Sequence, residues 1–136
     1  MKKAFLFPGQ GSQFIGMGQE LASQFEVAKD VFSEVDEALG EKLSALMFKG
    51  DIEELTLTRN AQPAIMAVSI AILRVMSFNG LDLKTIDLLA GHSLGEYSAL
   101  CASGVVSLRD TAIILRKRGI AMQKAVSEGK LSLIHI

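Results

Sequence analysis

The chain is short of several things, and each shortage closes off a class of function. It has one cysteine in 136 residues, Cys101, so no internal disulfide staples it together. A lone thiol in an apolar helical stretch reads as a small core residue and suits a reducing compartment. Net charge is −1, which supplies no global attraction to nucleic acid or to an anionic membrane surface. Long apolar runs are missing as well. Lys2 and Lys3 precede only Ala4-Phe5-Leu6-Phe7 before Pro8-Gly9, too short a run for a signal peptide. Residues 64–76 fall short of the roughly twenty apolar residues a bilayer span requires, and they carry Arg74. The expected location is therefore the cytoplasm, with neither nucleic acid nor membrane as partner. Two nucleotide motifs are incomplete. In Gly9-Gln10-Gly11 the third glycine of a dinucleotide fingerprint falls on Phe14. In a Walker loop started at Gly11, Met17-Gly18 stands where Lys-Ser/Thr must be.

What is present is a globular composition: 49% apolar and 21% charged residues, enough for the core of one domain or part of a larger one. Lys3 to Phe7 reads as a short buried strand stopped by Pro8-Gly9. Leu21, Phe25, Ala28, Phe32, Val35 and Leu39 recur at helical spacing, with a break expected near Phe25-Glu26 and a stop at Gly40. Further helical patches follow at Leu43–Phe48 and around Ile52–Leu57. The acidic residues of 26–54 are the expected solvated face of these helices. Gln62-Pro63 opens the most apolar element, with Pro63 at the first helical position and Gly80 past the end. Its methionines read as packing, and burial inside protein is favoured over lipid.

The chemistry concentrates in Gly91-His92-Ser93-Leu94-Gly95, preceded by Ile86, Leu88, Leu89 and Ala90 and followed by a helix-forming run. A G-x-S-x-G between a strand and a helix has the context of a nucleophile elbow, and glycines on both sides tolerate a backbone crowded by so abrupt a turn. The plainer alternative is a strand-to-helix turn in which Ser93 only caps the helix. Ser107-Leu108-Arg109-Asp110 then reads as a capping box opening a helix to about Val126, with Leu108, Ala112, Leu115, Gly119, Met122 and Val126 on one stripe. Arg116 and Arg118 flank that stripe on opposite sides, so periodicity makes them equal candidates for reaching a cleft.

Leu131-Ser132-Leu133-Ile134-His135-Ile136 break from what precedes them and match the in-frame translation of CTGTCTCTTATACACATC, the end of a common transposon-derived sequencing adapter. The expected natural portion is 1–130, with 131–136 a non-native tail excluded from function; the alternative is a chance apolar strand.

Phe7-Pro8-Gly9-Gln10-Gly11-Ser12-Gln13, Gln62-Pro63-Ala64, Gly91-His92-Ser93-Leu94-Gly95-Glu96-Tyr97 and Arg118-Gly119, in this order and spacing, resemble the N-terminal part of the malonyl-CoA:acyl carrier protein transacylase family. The likeness runs from Met1 to about Lys130. Within the wider acyltransferases the stand-alone enzymes are the closer match, because Met1 stands so near the first strand. The resemblance implies an α/β fold, a parallel sheet with helices on both faces. This is the α/β-hydrolase-like large domain of the transacylases, represented by its first strands and helices. It implies a malonyl transfer from coenzyme A to the phosphopantetheine thiol of acyl carrier protein, in fatty acid biosynthesis, through an ester on Ser93. Gln10 and Leu94 would lend backbone N–H groups to the oxyanion, Arg118 would pair with the malonyl carboxylate, and Gln62 would line the same pocket. No cofactor or metal is implied, coenzyme A entering as a thioester substrate, and the complete protein is expected to be a monomer. The departure is the missing base: His92 should project away from the hydroxyl and His135 lies in the tail. The chain is therefore expected to be an inactive fragment of a longer enzyme. A serine hydrolase using the same elbow and a non-catalytic binding module are the competing readings.

Overall fold

A computed structural model of the chain describes residues 1–126; the expected boundary at Lys130 and the tail 131–136, His135 included, lie outside the described residues. Among the described residues the fold is α/β, with two parallel strands, β1 (Ala4–Phe7) and β2 (Leu88–Gly91), and a majority of helix. Between the strands run α1 (Gln19–Gln24), α2 (Glu26–Leu39), α3 (Leu43–Lys49), α4 (Ile52–Thr56), α5 (Thr58–Phe78) and a 3-10 turn at Leu83–Thr85. After β2 come α6 (Leu94–Ala102) and α7 (Leu108–Ala125).

Local sequence accounts for most of these boundaries. Phe25 is extended (φ −129°, ψ 118°) and separates α1 from α2 where the break was expected. At the start of α7 the Ser107 Oγ accepts from the Asp110 N–H at 3.1 Å, which satisfies one of the orphan donors of the first turn. The core is built around α5, against which α2, α6 and α7 pack. Ala61, Ala64, Ala67 and Ala71 are completely buried, and these small side chains let the neighbouring helices come close. Met66, Leu55 and Leu115 are fully buried beside them, each such side chain contributing about 1.5–3 kcal/mol. By length and composition α5 passes as a membrane-crossing helix, yet 67% of its most apolar window is buried within the fold.

Two expectations need correction. Helix α5 begins at Thr58, five residues before Pro63, so the proline lies inside the helix. The chain turns at Leu57, whose carbonyl accepts from the N–H groups of Asn60 (2.8 Å) and Ala61 (2.9 Å). The Asn60 amide also donates to the Glu54 carbonyl at 2.8 Å, tying the new turn to α4. These contacts start the helix upstream of the residue that looked like its first. The second correction concerns β1, which is not a buried strand: Leu6 is 78% exposed and only Phe7 is buried. Its face lines an open cleft of about 480 Å³ opposite Ile65, Ile72 and Met76 of α5.

The parallel register sets Ala4 against Leu88 and Phe7 against Gly91. Both strands therefore end at the same level, which brings the turn after β1 beside the turn after β2.

Candidate active site

Strand β2 ends at Gly91 and α6 begins at Leu94, leaving two residues to reverse the backbone. Ser93 takes φ 55°, ψ −112°, the one positive φ outside glycine among the described residues. Such a conformation costs about 1–3 kcal/mol and persists because its surroundings over-determine it. The crowding is direct: a Cβ on Gly91 would stand 2.0 Å from the Gly95 carbonyl, and one on Gly95 would stand 2.3 Å from the Phe7 carbonyl oxygen. Only glycine fits at both places, because the first turn of α6 rests on the ends of both strands.

Ser93 occupies the cap position of α6, but its side chain makes no capping hydrogen bond. Its Oγ instead accepts from Arg118 Nη2 at 3.0 Å. The simple capping alternative therefore does not describe what the hydroxyl does. Leu94 is the first residue of α6, so its N–H comes before the first intrahelical hydrogen bonds. Gln10 lies in the turn after β1, and the His92 N–H donates to the Phe7 carbonyl at 3.1 Å, stitching that turn to the elbow. His92 is exposed, with its imidazole over Gly9, where a Cβ would come within 2.6 Å of Nδ1. Among the described residues no histidine or carboxylate bonds to Ser93 Oγ.

Arg118 is held from several sides. Its Nη1 donates to Gln62 Oε1 at 2.7 Å, and its guanidinium carbon sits 5.4 Å from the centre of the Tyr97 ring. The backbones behind this contact almost touch, since a Cβ on Gly119 would lie 2.5 Å from the Arg59 Cα. Arg116 points elsewhere and pairs with Glu41, in the connection between α2 and α3. Its head is largely buried, and that burial pushes the guanidinium pKa down while Glu41 opposes the shift.

The structure thus gathers Ser93, Arg118, Gln62 and the turn holding Gln10 into one cluster. It adds two residues to which the sequence assigns no role. Tyr97 lies one helical turn after Ser93, under Arg118. Thr58 is buried, its hydroxyl donating to Gln10 Oε1 at 2.8 Å and accepting from Gln62 Nε2 at 2.9 Å. The i, i+4 spacing of Thr58 and Gln62 would have signalled the pair, had the helix not been started at the proline. Elsewhere, Cys101 is half-buried and burial pushes its thiol pKa up, the state of an inert packing residue. No group of three or more His, Cys, Asp or Glu that could hold a metal ion occurs among the described residues.

The chain as a whole resembles known proteins over nearly all of its length. The chain is 57% identical over 129 residues to the malonyl CoA-acyl carrier protein transacylase of Bacillus subtilis (strain 168), covering 95% of this chain and 40% of that protein. It is 44% identical over 126 residues to the transacylase of the same name from Escherichia coli (strain K12), covering 93% and 40%. Among solved structures, an acyl-carrier-protein-S-malonyltransferase from Bartonella henselae superposes with TM-score 0.91 at 62% identity, over 93% of this chain and 41% of that one. A malonyl-transacylase in complex with a type II PKS acyl-carrier protein gives TM-score 0.88 at 45% identity, over 95% and 41%. The chain spans about 40% of the length of these curated relatives. Residues 4–135 match the acyl transferase domain family, and with a strained serine between two obligatory glycines at the head of α6, the chain belongs to that family.

Proposed function

We propose that this chain is the N-terminal part, residues 1–130, of the large domain of a malonyl-CoA:acyl carrier protein transacylase, working in the cytoplasm as a monomer. The observation that carries the reading is the Arg118 guanidinium fixed 3.0 Å from Ser93 Oγ and 2.7 Å from Gln62 Oε1. A cation with a planar fork beside a serine nucleophile suits an acyl group that carries its own carboxylate at the far end. A hydrolase of neutral esters would have no use for it.

In the first half-reaction Ser93 Oγ attacks the thioester carbonyl of malonyl-CoA. The serine proton passes to a general base, a C–O bond forms, and the C–S bond breaks to release coenzyme A, whose thiolate takes that proton back. The developing oxyanion is met by the N–H groups of Gln10 and Leu94, a reading supported by the common level at which β1 and β2 end. In the second half-reaction the phosphopantetheine thiol of acyl carrier protein attacks the malonyl-serine ester and restores the Ser93 hydroxyl. Arg118 is a donor only, so it cannot accept the serine proton. A histidine is the usual base for such a serine, and within residues 1–126 no histidine or carboxylate bonds to Ser93 Oγ. The thioester arrives already activated, and the chemistry asks for no resident cofactor or metal.

The test uses a full-length enzyme in which this N-terminal portion replaces the equivalent part of the Bacillus subtilis relative. Incubated with malonyl-CoA alone, it should gain one malonyl group, mapped to Ser93 by mass spectrometry and absent from Ser93→Ala. Malonyl carried on another residue would refute the assignment.

A further inference from the structure

We propose that Thr58 is a positioning residue for malonyl selectivity. Its hydroxyl sets the direction of a hydrogen-bond relay that forces Gln62 to present its carbonyl oxygen, and not its amide nitrogen, to Arg118. The inference rests on the reading of Arg118 as the carboxylate-binding group.

The polarity of the relay follows from its two ends. One end is the Thr56 carbonyl, which can only accept and takes Gln10 Nε2 at 3.4 Å. This leaves Gln10 Oε1 as the acceptor toward Thr58, whose single hydroxyl proton is used there, at 2.8 Å. With its proton committed, the Thr58 oxygen can only accept from Gln62, which turns the Gln62 Nε2 toward Thr58 at 2.9 Å. The second hydrogen of that nitrogen points at Met122 Sδ, 3.3 Å away. Gln62 Oε1 is then left for Arg118, the other end of the relay, which can only donate. Were the amide reversed, its N–H groups would face the guanidinium N–H groups with no acceptor between them. Thr58 is 3% and Gln62 1% exposed, so water offers neither an alternative partner. The Gly119 contact on the backbone of Thr58 and Arg59 holds the two helices at the separation the relay needs.

The experiment compares kcat and KM for malonyl-CoA and acetyl-CoA in the same full-length enzyme carrying Thr58→Val, Thr58→Ser or Arg118→Ala. Thr58→Val keeps the shape and removes the hydroxyl. It should raise KM for malonyl-CoA about tenfold with a smaller change in kcat, and lower the malonyl-to-acetyl preference by a similar factor. Thr58→Ser should restore both to within about twofold. Added to Arg118→Ala, Thr58→Val should cost no further selectivity, as expected of residues acting in one unit. If Thr58→Val does not fold, Gln10→Met reads the relay from its other end. Without Oε1 the Thr58 proton is free to turn toward Gln62, and selectivity should fall about threefold. An unchanged malonyl-to-acetyl preference in whichever of these variants folds, while Arg118→Ala loses it, overturns the role of Thr58 and leaves that of Arg118 standing. An unchanged preference in Arg118→Ala overturns both.

Discussion

Replacing Arg118 by alanine is the perturbation that most sharply separates a malonyl-specific enzyme from a general acyl carrier. In the resting site the guanidinium is already ordered, bonded to Gln62 Oε1 and Ser93 Oγ and resting near the Tyr97 ring. Little conformational entropy remains to be lost when a carboxylate arrives, so most of the interaction is available for binding. A charge-assisted hydrogen bond contributes about 1.5–3 kcal/mol, and Arg118 is only half-buried, which favours the lower part of that range. At about 1.4 kcal/mol per factor of ten, kcat/KM for malonyl-CoA should fall roughly 10–50-fold. Acetyl-CoA offers no carboxylate, and its kcat/KM should change by about threefold or less. The assay is coenzyme A release with acyl carrier protein as acceptor, run in the full-length enzyme with each acyl group, alongside a thermal melt of the variant. Equal losses for the two substrates would refute the reasoning and assign Arg118 a purely structural part. Arg118→Lys should fall between, since it keeps the charge and loses the fork.

Arg116→Ala serves as the counterpart. Its partner is Glu41, so it should lower the melting temperature by a few degrees, on the order of 1 kcal/mol, and leave the malonyl-to-acetyl ratio unaltered. A shift in that ratio would show that the two arginines had been told apart wrongly. Ser93→Gly should abolish acylation and yet melt no lower than the parent, because glycine relieves a positive φ that costs about 1–3 kcal/mol; a clear destabilisation would mean that the serine is not strained. Residues 1–136 expressed alone should be poorly soluble and inactive toward malonyl-CoA. Leu6, Phe14 and Leu88 on and beside the two-stranded sheet are 78%, 61% and 56% exposed, and parallel sheets are ordinarily covered on both faces. Size-exclusion chromatography and a denaturant titration would decide it, a monodisperse and cooperatively unfolding species being the contrary result.

What the sequence determined on its own were the features whose physics is local. The elbow was legible because glycine spacing, the apolar run before Ser93 and the helix formers after it all act within a dozen residues. The α1/α2 break at Phe25 and the Ser107 cap are of the same kind. Burial was harder to read. An apolar strand looks the same whether or not something covers it, which is why β1 was expected to be buried and is not. Proline is a strong local signal and points to a start of α5 at Pro63, whereas the true first turn is tied down by Leu57, Asn60 and Glu54. That error also hid Thr58.

Tertiary structure alone decided which residues meet. Arg116 and Arg118 are indistinguishable by helical periodicity. Only the packing of α7 against α5 sends one to Glu41 and the other to Gln62, 56 positions away, and to Ser93, 25 positions away. The parallel pairing of β1 with β2 sets the Gln10 turn beside the elbow, and no local preference encodes that pairing. A side chain's intrinsic tendencies act over a turn of helix or a step of strand. The direction of a hydrogen bond between distant side chains depends on backbone separations that only the assembled core determines.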